Sequence, residues 1–194
     1  MMIEEIANQI KESIETKNKV LNDQTIISKI QLMVEKSIES LNNGGKIIFC
    51  GNGGSFGDSQ HLAAELISRL RFDRSPLASI ALGTNSSNLS AIGNDYGYEK
   101  VFTRELLALG KKEDIFIPIS TSGNSPNVID AIKSAKSLGI QVFALTGGNA
   151  GKIKDLCDCL IVPSNKTEKI QEVHIMIGHI FCGLIESLIF KNTK

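Results

Sequence analysis

The stretch Ile115-Phe116-Ile117-Pro118-Ile119-Ser120-Thr121-Ser122-Gly123-Asn124-Ser125 decides how the rest of the chain is read. Its first five residues form an unbroken apolar run, as expected of a parallel strand covered on both faces. The next six carry four hydroxyls, a glycine and an asparagine, and a helical pattern follows over 125–138. Strand, polar turn and helix in that order make one unit of an α/β fold. The first-turn N–H groups of such a helix lack internal partners, and its dipole favours negative charge there. Hydroxyls add neutral donors, so the loop suits a phosphate held without Lys or Arg. A turn that only capped the helix through Ser125 or Asn124 would need one such side chain rather than four hydroxyls.

Working outward, short apolar runs alternate with helical patterns. The expected strands are Lys46–Cys50, Ala78–Leu82, Asp114–Ile119, Gln141–Leu145 and Cys159–Val162. The expected helices cover 56–71, 86–93, 98–109, 125–138, 149–155 and 167–190. This alternation predicts an α/β fold, a three-layer α/β/α sandwich around a five-stranded parallel sheet. Residues 1–43 hold no strand and read as a helical arm broken near Asn22-Asp23, with Ile26, Ile27, Ile30, Met33, Val34 and Ile38 at helical spacing. Asn42-Asn43-Gly44-Gly45 ends it, since Asn and Gly accept the left-handed backbone that follows a helix. The expected organisation is therefore an arm at 1–43, packed on its own domain or on a partner chain, and one sheet domain at 44–194.

Composition narrows the partners. With 21 basic and 21 acidic residues among 194, no basic footprint for nucleic acid is present. Eight Phe, two Tyr and no Trp leave no aromatic platform interleaved with Arg. The first ten residues carry Glu4 and Glu5 and lack the apolar core of a secretory signal, which predicts a cytoplasmic protein. The most apolar segment, Val173–Phe190, is interrupted by His174, His179 and Glu186, so a buried helix is expected rather than a membrane span. Cys50, Cys157, Cys159 and Cys182 match neither a disulfide framework nor a zinc ribbon and read as reduced thiols.

In parallel sheets ligands sit beyond the carboxyl ends of the strands. The loop after the first strand, Gly51-Asn52-Gly53-Gly54-Ser55, fits neither the Walker nor the Rossmann pattern, but its glycines let backbone approach a ligand and Asn52 and Ser55 add polar contacts. His61 and Glu65, four residues apart, share a face of the helix that follows, either near the pocket or as a surface pair of little energetic value. Gln171, Glu172, His174 and His179 lie on the apolar last helix. His174 reads equally well as a satisfied core histidine and as a functional group. Gln171 and His179, eight residues apart, lie about 12 Å apart along a helix axis, so supply of one from a neighbouring chain would ease their meeting at one pocket.

Taken together, these residues resemble the sugar isomerase (SIS) domain family and, within it, the bacterial phosphoheptose (sedoheptulose-7-phosphate) isomerases. The resemblance runs along nearly the whole chain. It is carried by Cys50-Gly51-Asn52-Gly53-Gly54-Ser55 with Asp58, His61 and Glu65; by Gly93-Asn94-Asp95; by Ser120–Ser125; by Leu145-Thr146-Gly147; and by Ile170-Gln171-Glu172-Val173-His174 with His179. It implies interconversion of sedoheptulose 7-phosphate and D-glycero-D-manno-heptose 7-phosphate through an enediol-type intermediate, with Glu65 as base and His179 as acid. It implies substrate contacts from Asn52, Gly53, Gly54, Ser55, Asn94, Asp95, Ser120, Thr121, Ser122, Ser125 and Gln171. It further implies zinc held by His61, Glu65, Gln171 and His179, in a catalytic, structural or opportunistic role. The family's homotetramers imply subunit contacts from the arm and the last helix. The heptose would feed lipopolysaccharide or capsule. Where many relatives carry Asp, this chain has Glu168, and Phe56 and Gly57 also depart from the family pattern.

Two other readings stand beside this one. The hydroxyl loop would hold any terminal phosphate, so an isomerase of another sugar phosphate fits it equally. A non-catalytic SIS protein, associated with a replication initiator or sensing sugar phosphates, is the other; the initiator-binding relative lacks the final histidine, which this chain keeps as His179.

Overall fold

Five strands, Ile47–Gly51 (β1), Ser79–Ala81 (β2), Ile115–Ser120 (β3), Gln141–Gly147 (β4) and Asp158–Val162 (β5), form one parallel sheet in the order β2-β1-β3-β4-β5. The computed structural model that gives this arrangement describes residues 1–190. All five expected strands are present, displaced by at most two residues at an end. β1 and β3 are buried along their whole length, which explains why they read as continuous apolar runs. Pro118 sits in β3 between two partner strands. The β3–β4 pairing joins Phe116 to Val142 and resumes at Ile119 with Leu145, so the proline, which has no N–H, falls in the gap.

The helices are Met2–Leu21 (α1), Gln24–Asn42 (α2), Gly54–Ile67 (α3), Ser86–Tyr96 (α4), Val101–Leu109 (α5), Pro126–Ser137 (α6) and Thr167–Phe190 (α7), with 3₁₀ turns at Tyr98–Lys100 and Gly151–Asp155. Ile115, Ile117 and Ile119 of β3 point into one core with α2, α3 and α7, whereas Phe116 joins α5 and α6 in the other. That is the three-layer sandwich. The break near residue 22 has a local cause: the Asp23 carboxylate accepts the Thr25 and Ile26 N–H groups at 2.9 and 3.2 Å and caps α2. α2 buries Ile26, Ile30, Met33 and Val34 in the same core as β1, so it is a member of the layer, while α1 leaves Ile3, Ile6, Ile10 and Ile14 exposed.

α3 stops four residues before the expected end at 71. The Arg74 guanidinium collects the carbonyls of Glu65, Leu66 and Ser68 at 2.7–2.8 Å, ending the helix by satisfying its last acceptors. α7 is long and apolar enough to cross a membrane, with a mean hydropathy of 1.8, yet half of that window is buried in the protein. It packs on α2, α3 and β4. In a sheet of this order, β1 and β3 flank the point where the strand order reverses, and a ligand crevice opens beyond their carboxyl ends. The two polar loops singled out in the sequence leave from those ends.

Candidate active site at the strand-order reversal

The loop Ser120–Ser125 turns β3 into α6. Gly123 has φ +63°, and a Cβ there would lie 1.9 Å from the Ala150 carbonyl oxygen, so the close approach admits only glycine. Neither Ser125 nor Asn124 caps α6 with its side chain. The Ser120 and Ser125 hydroxyls lie 3.1 Å apart, and Asn124 bonds to Ser122 and to the Lys152 N–H. The hydroxyls are thus not consumed in capping. Fewer backbone donors are free than a bare helix start would offer, however. Pro126 has no N–H, and the Val128 N–H is bonded to the Asn127 side chain. What the loop can offer a ligand is therefore mainly its side-chain hydroxyls, since the Gly123 and Asn124 N–H groups are bonded within it to the Ser120 carbonyl and the Ser122 hydroxyl. A cleft of about 510 Å³ opens beside it, lined by Thr121, Ser122, Gly148, Asn149, Asn165 and Thr167.

The loop after β1 meets the start of α7. A Cβ on Gly54 would stand 2.6 Å from Gln171 Nε2, so this glycine admits the Gln171 amide to the first turn of α3. Ser55 is buried at 3% exposure. Asn52 exchanges two 2.9 Å hydrogen bonds with Asn127, and the Tyr98 hydroxyl donates to Asn52 Oδ1 at 3.2 Å. Asn127 and Tyr98 did not emerge from the sequence reading. A usable signal was there for Asn127, since Asn in a helix's first turn seeks a nearby backbone partner.

α3 and α7 run side by side, both starting at the ligand end of the sheet, and bring three predicted residues together within one chain. His61 Nε2 lies 2.9 Å from His179 Nε2 and 3.1 Å from Glu65 Oε1. One donor atom from each of the three lies within 4.8 Å of the others. Two Nε2 atoms at that separation cannot both carry a proton between them, so at least one lone pair points inward, as a cation would require. Ligands about 2.0–2.1 Å from a tetrahedral zinc stand about 3.3 Å apart, close to these separations, and two imidazoles with a carboxylate suit that ion. The three residues thus fit a metal site. Gln171 is placed differently: it lies against Gly54, and His61 follows about 10 Å further along the α3 axis.

Asp58, one turn before His61, has a carboxylate oxygen with no partner among the described residues. Burial raises its pKa above the ordinary carboxylate value, and the nearby His61 and His179 pull it the other way. His174 resolves as a core residue. It is 1% exposed and bonded through Nε2 to the Thr146 carbonyl at 3.1 Å, and burial pushes its pKa down to about 4, so the ring is neutral. Asn94 and Asp95 are exposed at the end of α4 and bond to each other at 2.8 Å.

Comparison with known proteins bears on this arrangement. The SIS domain family model matches residues 7–147. The chain is 50% identical over 188 residues to a phosphoheptose isomerase of Aneurinibacillus thermoaerophilus, covering 96% of this chain and 95% of the relative. A solved phosphoheptose isomerase from Neisseria gonorrhoeae superposes with TM-score 0.89 at 42% identity, over 96% of this chain and 100% of that one. One from Francisella tularensis gives TM-score 0.90 at 33% identity, over 96% and 99%.

Proposed function

The chain belongs to the SIS domain family and, within it, to the phosphoheptose isomerases, and on that premise we propose how it interconverts sedoheptulose 7-phosphate and D-glycero-D-manno-heptose 7-phosphate. The reading is carried by one observation above the rest: Glu65 and His179 meet around His61 on α3 and α7, the two helices that start at the ligand end of the sheet. Ser120, Thr121, Ser122 and Ser125 hold the 7-phosphate. Asn52, Gly53, Gly54, Ser55 and Gln171 line the sugar from the β1 side, with Asn94 and Asp95 contributing from the surface of α4.

Glu65 removes a proton from C1 of the ketose while His179 donates one to the C2 carbonyl oxygen, giving the enediol. Glu65 then returns its proton to C2 and the O1 proton passes to His179, which completes the aldose and restores both groups. His61, Glu65 and His179 would hold the metal, whereas Gln171, expected from the family resemblance as a fourth ligand, lies against Gly54 away from the three. Such an ion, when bound, polarises the sugar carbonyl. His61 also fixes the two reactive side chains, since it touches both.

Two features support a homotetramer in which other copies of the chain complete the site. The His61 side chain is 49% exposed, and Ile180, Leu184 and Leu188 lie exposed just beyond His179. An apolar groove of about 710 Å³ between α1, α2 and α7 offers the contact surface. Free Cys50, Cys157, Cys159 and Cys182 agree with a reducing, cytoplasmic setting, and the heptose would enter lipopolysaccharide or capsule synthesis. The test is turnover of sedoheptulose 7-phosphate by Glu65→Gln and His179→Ala. Each is expected to lose about 10³-fold or more in kcat, with far-UV circular dichroism unchanged. Near-normal rates in both would remove the assignment.

A further inference from the structure

We propose that Asn127 is a positioning residue that, with Tyr98, locks the Asn52 side chain so that it meets a ligand only as an N–H donor. The proposal rests on the sugar-phosphate reading of the site. Asn127 is 2% exposed and sits in the first turn of α6. The Val128 backbone N–H donates to its Oδ1 at 3.0 Å. A backbone N–H can only donate, so the Asn127 amide has one allowed orientation. Its Nδ2 then donates to Asn52 Oδ1, and Asn52 Nδ2 donates back to Asn127 Oδ1, both at 2.9 Å. The Tyr98 hydroxyl takes the second lone pair of Asn52 Oδ1 at 3.2 Å.

The consequence is chemical. Both lone pairs of Asn52 Oδ1 are occupied, one Nδ2 hydrogen is committed to Asn127, and a single N–H remains. A fixed N–H suits the oxygens of a phosphate or a sugar and offers nothing to a ligand group that must donate. The consequence is also geometric. The amide pair ties the loop after β1 to the start of α6, across the strand-order reversal, and so sets the spacing between the two loops that flank the crevice. Pre-setting that spacing lowers the cost of ordering the site when substrate arrives.

Steady-state kinetics with sedoheptulose 7-phosphate on Asn127→Ala, Asn52→Ala and the double variant provide the test. Asn127→Ala is expected to raise KM about tenfold with kcat within about twofold, and the double variant to match Asn52→Ala. Tyr98→Phe, at an exposed residue that leaves the fold intact, is expected to raise KM about threefold. If Asn127→Ala loses the same factor whether or not Asn52 is present, or if Tyr98→Phe leaves KM unchanged, the proposal is overturned. Wild-type protein inert toward sedoheptulose 7-phosphate would instead count against the functional reading alone. The lock is then read by NMR on the free protein. The one Nδ2 hydrogen of each of Asn52 and Asn127 that is bonded across the pair is expected to exchange at least about tenfold more slowly than a free amide. Exchange at the free rate overturns the lock.

Discussion

At the scale of single residues, the site turns on how few protons its side chains can hold. His61 and His179 face each other through Nε2 at 2.9 Å with the Glu65 carboxylate 3.1 Å from the first. Either one proton is shared or a cation replaces it, and an Asp58 carboxylate oxygen with no partner among the described residues lies one turn away on α3. Purified protein is therefore expected to carry about one zinc per chain, and His61→Ala to lose it, by elemental analysis and chelator competition. His174 makes a separate prediction. Its pKa falls from 6.5 in the unfolded chain to about 4 in the folded one, so the unfolded state binds more protons between those values. Its contribution is full above pH 6.5 and is lost as pH falls toward 4, an effect of about 3 kcal/mol. His174→Gln, which keeps a donor for the Thr146 carbonyl, should flatten the stability profile over that window in urea titrations at graded pH.

At the scale of elements, the spacing of α3 and α7 decides whether Glu65 and His179 meet. A buried clamp beyond the site holds it. Glu186 of α7, fully buried, accepts the Leu70 and Arg71 N–H groups at 3.1 and 2.9 Å and pairs with Arg74 at 3.2 Å. Arg74 in turn holds the carbonyl of Glu65 itself at 2.8 Å. Glu186→Ala strips a buried guanidinium of its counter-charge and leaves its Nε–H and two backbone donors without their acceptor. It should cost about 3–5 kcal/mol in denaturant unfolding, whereas Arg74→Met combined with Glu186→Leu should cost less because no charge is stranded. Smaller glycine contacts act in the same way along this helix pair. A Cβ on Gly178 would stand 2.5 Å from Leu62, so Gly178 lets the two helices approach closely one residue before His179.

At the scale of the whole molecule, the chain leaves its N-terminal helix unfinished. Ile3, Ile6, Ile10 and Ile14 form an exposed stripe on α1, beside the apolar groove that runs between α1, α2 and α7. An exposed apolar stripe of this kind is a surface suited to cover by another chain. Sedimentation at micromolar concentration is expected to give a tetramer of the 21.0 kDa chain, and Ile6→Glu with Ile10→Glu to shift it to smaller species. A monomeric wild type would sink the oligomer reading.

Much of this was legible in the residues. Apolar runs such as Ile115–Ile119 mark parallel strands because both faces are covered, and the capping Asp23 marks the break between the first two helices. The hydroxyls of Ser120–Ser125, the His61/Glu65 pair and His179 announce themselves by type and spacing, which local chemistry fixes. Tertiary structure alone decided the rest. It brought His179 to His61 within one chain, set Gln171 against Gly54, turned His174 into a core residue and joined Asn52 to Asn127. These pairings lie 28 to 118 positions apart in the chain. Periodicity reports which face of a helix is buried, but distances between faces are set by packing, down to the single Cβ that glycine omits.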